Sequence, residues 1–134
     1  MERKEMKQLA MAALQCTVNG EPEAAATIVN ALASTGDSCD LYGACCGWAG
    51  SAEVALERIH GRPAGDVWSF EEHPGNPEKT FALRFIAAYA NDDPTTTEAL
   101  FVAAANASSD QTTDSVASLL QMAADLNTEA QAAR

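Results

Sequence analysis

The residues of this chain best suited to chemistry are its four cysteines, three of which crowd into one short stretch as Cys39, Cys45 and Cys46, with Cys16 elsewhere. Thiolates at close spacing suggest zinc, but zinc sites favour two tight pairs of ligands, such as two CxxC motifs. A vicinal pair on a helix points its side chains about 100° apart, so Cys45 and Cys46 do not readily face one ion. His60 and His73 would complete such a site only if the segment between them folded back. Reduced cysteine packed as a small apolar residue is the plainer reading, with a thiol or metal site on Cys39, Cys45 and Cys46 as the alternative. Glu71-Glu72-His73 has the composition of an acid–base cluster, but nothing beside it in sequence would bury its charges. Asn91-Asp92-Asp93 with Glu98 has oxygens for calcium, yet it lacks the alternating ligands and central glycine of a calcium loop, and Pro94 interrupts it. Helix capping explains it better. No glycine-rich phosphate loop, no Ser/His/Asp grouping and no basic stripe is present. The reading therefore has no catalytic residue, no metal and no cofactor. The aromatics Trp48, Trp68 and Phe70 are the candidate anchors for a protein partner, because tryptophan is enriched at binding hot spots; core packing is the alternative for all three and the plainer reading for Trp48.

Charge narrows the partners. The net charge of −11 repels phosphate backbones, which argues against direct nucleic-acid binding, and disfavours anionic membranes. It favours a basic protein partner. Much of the acidity falls at expected helix N-termini (Glu21, Glu23, Asp37, Asp40, Glu78, Asp93, Asp110), where the helix dipole and free N–H groups accept it. The basic tip Arg3, Lys4 and Lys7 is interleaved with Glu2 and Glu5 and reads as a solvated helix end. The first residues lack the long apolar core of a signal peptide, and no stretch is long enough for a membrane span, so the expected compartment is the cytoplasm, with thiols reduced.

The elements that would carry these residues are helical. Alanine alone supplies 28 of the 134 residues, against 31 larger apolar ones. Alanine is the best helix former and lets helix axes approach closely. Six helices are expected. The first spans about Glu2 to Val18 and stops at Asn19-Gly20. The second starts at Pro22 with Ala25, Ile28, Val29 and Leu32 on one face. The third runs from Ser38 to about His60 with Leu41, Cys45, Trp48, Ala52, Leu56 and Ile59 at helical spacing. Gly43, Gly47 and Gly50 within it mark either a kink or a very close neighbour. A non-helical stretch from Gly61 to Asn76 carries Val67-Trp68-Ser69-Phe70 and should fold back onto the helices. The fourth helix runs from Pro77 to about Ala90, the fifth from Pro94 to about Ala107, and the sixth opens at Ser108-Ser109-Asp110, with Thr128 to Arg134 expected to fray.

The chain also appears twice within itself. Asn19-Gly20-Glu21-Pro22 falls on Asn91-Asp92-Asp93-Pro94 at an offset of 72 residues, with alanine-rich apolar segments on both sides of each. The third helices match only in pattern. The expected architecture is one all-α domain over 1–134, built as two tandem three-helix units, 1–60 and 77–134, joined by the loop 61–76. The Asn-x-acid-Pro junction resembles the turns of helical-repeat proteins of the tetratricopeptide kind, without their unit length or consensus. The segments Tyr42-Gly43-Ala44-Cys45-Cys46-Gly47-Trp48-Ala49 and Phe81-Ala82-Leu83-Arg84-Phe85-Ile86-Ala87-Ala88-Tyr89 look like those of small uncharacterised helical proteins of actinobacteria and their phages. That resemblance implies a setting and no activity.

Repeated helical units bury each other and present a binding surface. The functional expectation is a non-enzymatic protein-interaction module, with a homodimer as one of its forms. The alternative is an acidic decoy that occupies the nucleic-acid groove of a basic protein, as phage counter-defence proteins do.

Overall fold

The computed structural model describes residues 2–35, 38–63, 65, 67–70 and 75–133. Within them the chain forms six helices, α1 (Arg3–Val18), α2 (Pro22–Thr35), α3 (Ser38–His60), α4 (Pro77–Ala90), α5 (Pro94–Ala105) and α6 (Ser109–Ala132), and no strand. The Glu71-Glu72-His73 cluster and Asp37 lie outside the described residues. No described helix is long and apolar enough to cross a membrane.

The helix limits follow from local chemistry. Asn76 caps α4 by accepting the Lys79 amide at 3.1 Å, and Asp93 caps α5 by accepting the Thr96 amide at 3.2 Å. In both helices proline stands in the first turn, where its missing N–H has no partner to lose. Ser108 caps α6 through the Gln111 amide. The expected fraying after Thr128 does not occur: α6 continues to Ala132. Two contacts hold that stretch. The Asn127 carboxamide donates to the Ser51 hydroxyl of α3 at 3.0 Å, and Ala130 is buried. Helix α5 ends two residues earlier than expected, at Ala105.

The α1–α2 and α4–α5 junctions make the same backbone hydrogen bonds, residue for residue. The Asn19 amide donates to the Gln15 carbonyl, Gly20 to Thr17, and Glu21 to Cys16, at 2.9, 3.1 and 2.8 Å. Seventy-two residues on, Asn91 donates to Ala87, Asp92 to Tyr89, and Asp93 to Ala88, at 2.9, 3.1 and 2.9 Å. The middle residue has positive φ in each, +75° at Gly20 and +56° at Asp92. Glycine accepts that conformation freely, and aspartate is among the few other residues that visit it.

Helices α3 and α6 form the centre, packed on each other. Helix α1 leans on α2, α3 and α6, while α4 leans on α5, α6 and α3. The core between them is alanine-rich, filled out by Trp48, Phe85, Leu32, Ile86 and Leu119, all fully enclosed. Its small residues let the helices sit close, and larger side chains fill what remains.

Helix α3 is continuous through its three glycines, and each has a side chain of a neighbouring helix close to it. A methyl group on Gly43 would meet Met6 Cε at 2.7 Å, one on Gly47 would meet Met11 Cε at 3.7 Å, and one on Gly50 would meet Tyr89 Oη at 3.3 Å. Side chains from α1 and α4, and not a helix backbone, fill the space above them.

Candidate functional site

The two tyrosines of the chain, Tyr42 and Tyr89, line the same surface cleft, where α3 meets the α4–α5 junction. The cleft encloses about 350 Å³, and Cys46, Glu53, Asp92 and Thr97 also line it. Helix α3 presents Tyr42, Cys46 and Glu53 at spacings of four and seven residues, which stack along one face. Tyr89 comes from the last turn of α4, and Asp92 and Asp93 from the junction.

Tyr42 is fixed on all sides that matter. Its ring meets Phe101 edge-on at 5.3 Å between centroids and Phe85 at 6.2 Å. Its hydroxyl pairs with the Thr97 hydroxyl at 2.8 Å. Thr97 is the buried polar residue at the floor of this contact, and it is satisfied a second time by donating to the Pro94 carbonyl at 3.0 Å. Tyr89 is by contrast over a third exposed, at 37%. Helical spacing puts it on the side of α4 that carries the buried Phe81 and Phe85. Its ring stands at the cleft wall with the hydroxyl over Gly50.

The cleft resists added negative charge. Burial, above all, pushes the Glu53 carboxyl up from its ordinary range; Glu57 and Asp92 add to this and Arg62 offsets part of it. Burial likewise raises the Cys46 thiol, against a hydrogen bond from Tyr42 that lowers it, with Glu98 adding repulsion. Tyr89 is raised by burial and then by Cys46, Glu53 and Asp92. Among the described residues, three carboxylates line the cleft and no basic side chain does. The result is a pocket of negative potential with two phenol rings in its wall.

Cys46 and Tyr89 also line a second hollow, a groove of about 340 Å³ between α1 and α3 that contains Met6, Met11, Gly43 and Gly47. The cleft and the groove thus share two walls; carboxylates and phenols line the first, and the second is mostly apolar with Lys7 among its lining. Val54, 54% exposed, continues the Gly43, Gly47, Gly50 row along α3.

The residues singled out from sequence lie elsewhere or have other duties. Trp48 is fully buried, and its indole N–H donates to the Ala10 carbonyl at 2.9 Å, so its surface is used within the chain. Trp68 and Phe70 are half-buried against the core and stack on each other, 12° from parallel with centroids 6.4 Å apart. The loop does fold back, held by Asn91. Cys45 is fully buried, Cys39 exposed, and Cys16 and Cys46 half-buried; all four are free thiols. Burial raises Cys45 far above the ordinary thiol range. Cys39 and Cys45 therefore point to different environments, and among the described residues no three His, Cys, Asp or Glu side chains come together in a way that would hold a metal. Asp93 is spent as the α5 cap, on the Thr96 amide and hydroxyl.

Sequence reading missed Tyr42, Glu53, Tyr89 and Thr97 as a group. They are scattered over three helices, and none belongs to a motif. No family model matches the chain, and neither a curated protein nor a solved structure does.

Proposed function

We propose that the chain is a pair of tandem three-helix units acting as a non-enzymatic protein-interaction module, and that its partner is a basic protein segment seated in the joined cleft and groove of α1, α3 and α4. The duplication is supported by the matched junction bonds and by burial. Ala10, Ala13 and Leu14 are buried in α1, and so are Ala82, Phe85 and Ile86 in α4, at the offset of 72. Cys45, Trp48, Ala49 and Ala52 in α3 correspond to the buried Val116, Leu119, Leu120 and Ala123 in α6, at an offset of 71. Exchanging α1 with α4, α2 with α5 and α3 with α6 maps the helix contacts onto one another: α1 on α6 becomes α4 on α3, and α3 on α6 stays itself. That correspondence supports the reading of two similar units.

The observation that carries the interaction reading is the composite surface itself. A cleft with acid and aromatic walls adjoins a mostly apolar groove lined by Met6, Met11, Gly43 and Gly47, with Lys7 beside them. Such a surface suits a chain that presents positive charge beside apolar side chains. The raised thiols of Cys45 and Cys46 disfavour the reactive thiolate form, which supports a docking role over thiol chemistry.

Affinity capture from the native host, with Met11→Glu and Val54→Glu run in parallel, tests the reading. Both residues are exposed, so the variants keep the fold. Partners held by the wild type and lost by both variants support the proposal. Partners held equally by all three contradict it. Light scattering on the purified protein separates the homodimer, which would have to bring together two chains of −11 net charge.

A further inference from the structure

A hollow also lies at the other junction, and under the proposed duplication it shares five lining positions with the cleft. Where α6 meets the α1–α2 junction there is a hollow of about 180 Å³ lined by Thr17, Pro22, Ala25, Thr113 and Ala117. By the offsets of 72 and 71 these are the counterparts of Tyr89, Pro94, Thr97, Tyr42 and Cys46. Proline is retained in both. The tyrosines have become threonines and the thiol an alanine. Asp92 corresponds to Gly20, and Glu53 to Ala124. One cleft is therefore built of small, plain side chains and still forms the same junction with the same backbone bonds. Tyr42 is used within the fold, on Phe85, Phe101 and Thr97, but the junction's backbone bonds do not require the Tyr89 ring, the Cys46 thiol or the Glu53 and Asp92 carboxylates. They stand where something else would use them.

What fits them is a planar organic cation. We propose that the cleft of Tyr42, Glu53, Tyr89 and Asp92 is a receptor for an arginine side chain of the partner, its guanidinium lying against the Tyr89 ring and pairing with the Glu53 and Asp92 carboxylates. This rests on the interaction reading above and names the group recognised. A guanidinium stacks on a phenol face and pairs with carboxylates in the plane of its N–H fork. It is more weakly hydrated than an ammonium, so it enters a half-buried cleft at lower desolvation cost than lysine. A divalent metal does not fit: among the described residues no three ligands converge. The carboxyl that burial raises is the one a bound cation relieves; the charged groups acting on Glu53 are Glu57, Asp92 and Arg62, and Tyr89 stands beside it. The adjoining groove past Cys46 toward Gly47 and Met11 accommodates the apolar neighbours of such an arginine.

The test is an NMR titration of the isolated protein with N-acetyl-arginine methylamide, and with the lysine and citrulline equivalents; citrulline has the shape of arginine without the charge. The arginine compound should shift the Tyr89 ring and Glu53 carboxyl resonances saturably and lower the Glu53 titration midpoint. Glu53→Gln and Tyr89→Thr, the latter carrying the residue of the plain cleft, should each weaken binding by about tenfold, the size of one charge-assisted contact. The citrulline compound should give no saturable shift, and the lysine compound a weaker one. Citrulline or lysine binding as well as arginine, equal shifts at Glu23 and Asp110, or no saturable shift would each overturn the proposal. Circular dichroism of both variants separates lost binding from lost fold. A failed titration alongside partner capture that still depends on Met11 and Val54 removes the arginine and leaves the interaction module; the opposite pair of results does the reverse.

Discussion

Asn91 clamps the backbone of Trp68 through both ends of its carboxamide. The Trp68 amide donates to Asn91 Oδ1 at 2.7 Å, and Asn91 Nδ2 donates to the Trp68 carbonyl at 3.0 Å. Asn91 is also the last-turn cap of α4, its own amide bonded to the Ala87 carbonyl. One residue thus ends a helix and ties down the segment 67–70 that crosses to it. Among the described residues, the side chain of Asn19, the corresponding position, has only the local contact from Gln15 Nε2.

Replacing Asn91 with alanine removes both bonds to the loop while leaving the helix end intact. The cost should be about 1–3 kcal/mol, two net hydrogen bonds at about 1 kcal/mol each. The Trp68 amide should exchange its hydrogen faster than the amides of α4, which hydrogen-exchange NMR would read. Unchanged Trp68 protection would mean that the packing of Trp68 and Phe70, and not Asn91, holds the segment.

Gly47→Ala should stabilise the protein by about 0.5–1 kcal/mol, since the added methyl meets only Met11 Cε at an ordinary 3.7 Å and the helix gains propensity. Gly43→Ala should gain less, because Met6 Cε must move from 2.7 Å. Gly50→Ala crowds the Tyr89 hydroxyl at 3.3 Å and should shift that ring. Denaturant midpoints of the three variants give the ranking.

Stability should fall at alkaline pH. Burial raises the Cys45 thiol, and Cys46 is raised too. The folded chain therefore keeps protons that the unfolded chain loses above about pH 8.5. The thiols' contribution is complete below that value and declines as pH rises beyond it. Cys45→Ala should flatten the decline, at a cost of about 1–2 kcal/mol at neutral pH from the lost packing. A slope unchanged by the substitution would locate the effect in other groups.

Asp92→Gly should leave stability within about 1 kcal/mol, because the position has φ of +56° and glycine serves the same turn at Gly20. Binding of the arginine compound should weaken in the same variant. Loss of stability without loss of binding would make Asp92 a turn residue only.

The helices were legible in the sequence because their ends are punctuated. Pro22, Pro77 and Pro94 start helices, Asn76, Asp93 and Ser108 supply caps, and Gly20 allows the turn between α1 and α2. The end of α6 was misjudged because its anchors, Asn127 on Ser51 and the burial of Ala130, are tertiary contacts with no local signature. Trp48 drew attention as a surface anchor by residue type, yet its partner is a carbonyl 38 positions earlier. The cleft was harder. Tyr42 and Tyr89 look like ordinary members of apolar faces, and only the fold brings them together. A signal did exist. Under the proposed duplication, Thr17 falls on Tyr89, Ala25 on Thr97 and Ala117 on Cys46. The third helices, starting at Ser38 and Ser109, sit 71 residues apart instead of 72, and that single-residue slip hides the comparison.

The most direct test joins the cleft to its plain counterpart. Glu53→Ala, Tyr89→Thr and Asp92→Gly together put into the first cleft the residues found at the three corresponding positions, Ala124, Thr17 and Gly20. With circular dichroism establishing that the triple variant is folded, the arginine compound is titrated into it under the conditions used for the wild type. The account predicts a fold kept within about 1.5 kcal/mol, as for substitutions outside the core, and no saturable binding. Arginine binding equal to wild type, or a chain that no longer folds, would contradict it.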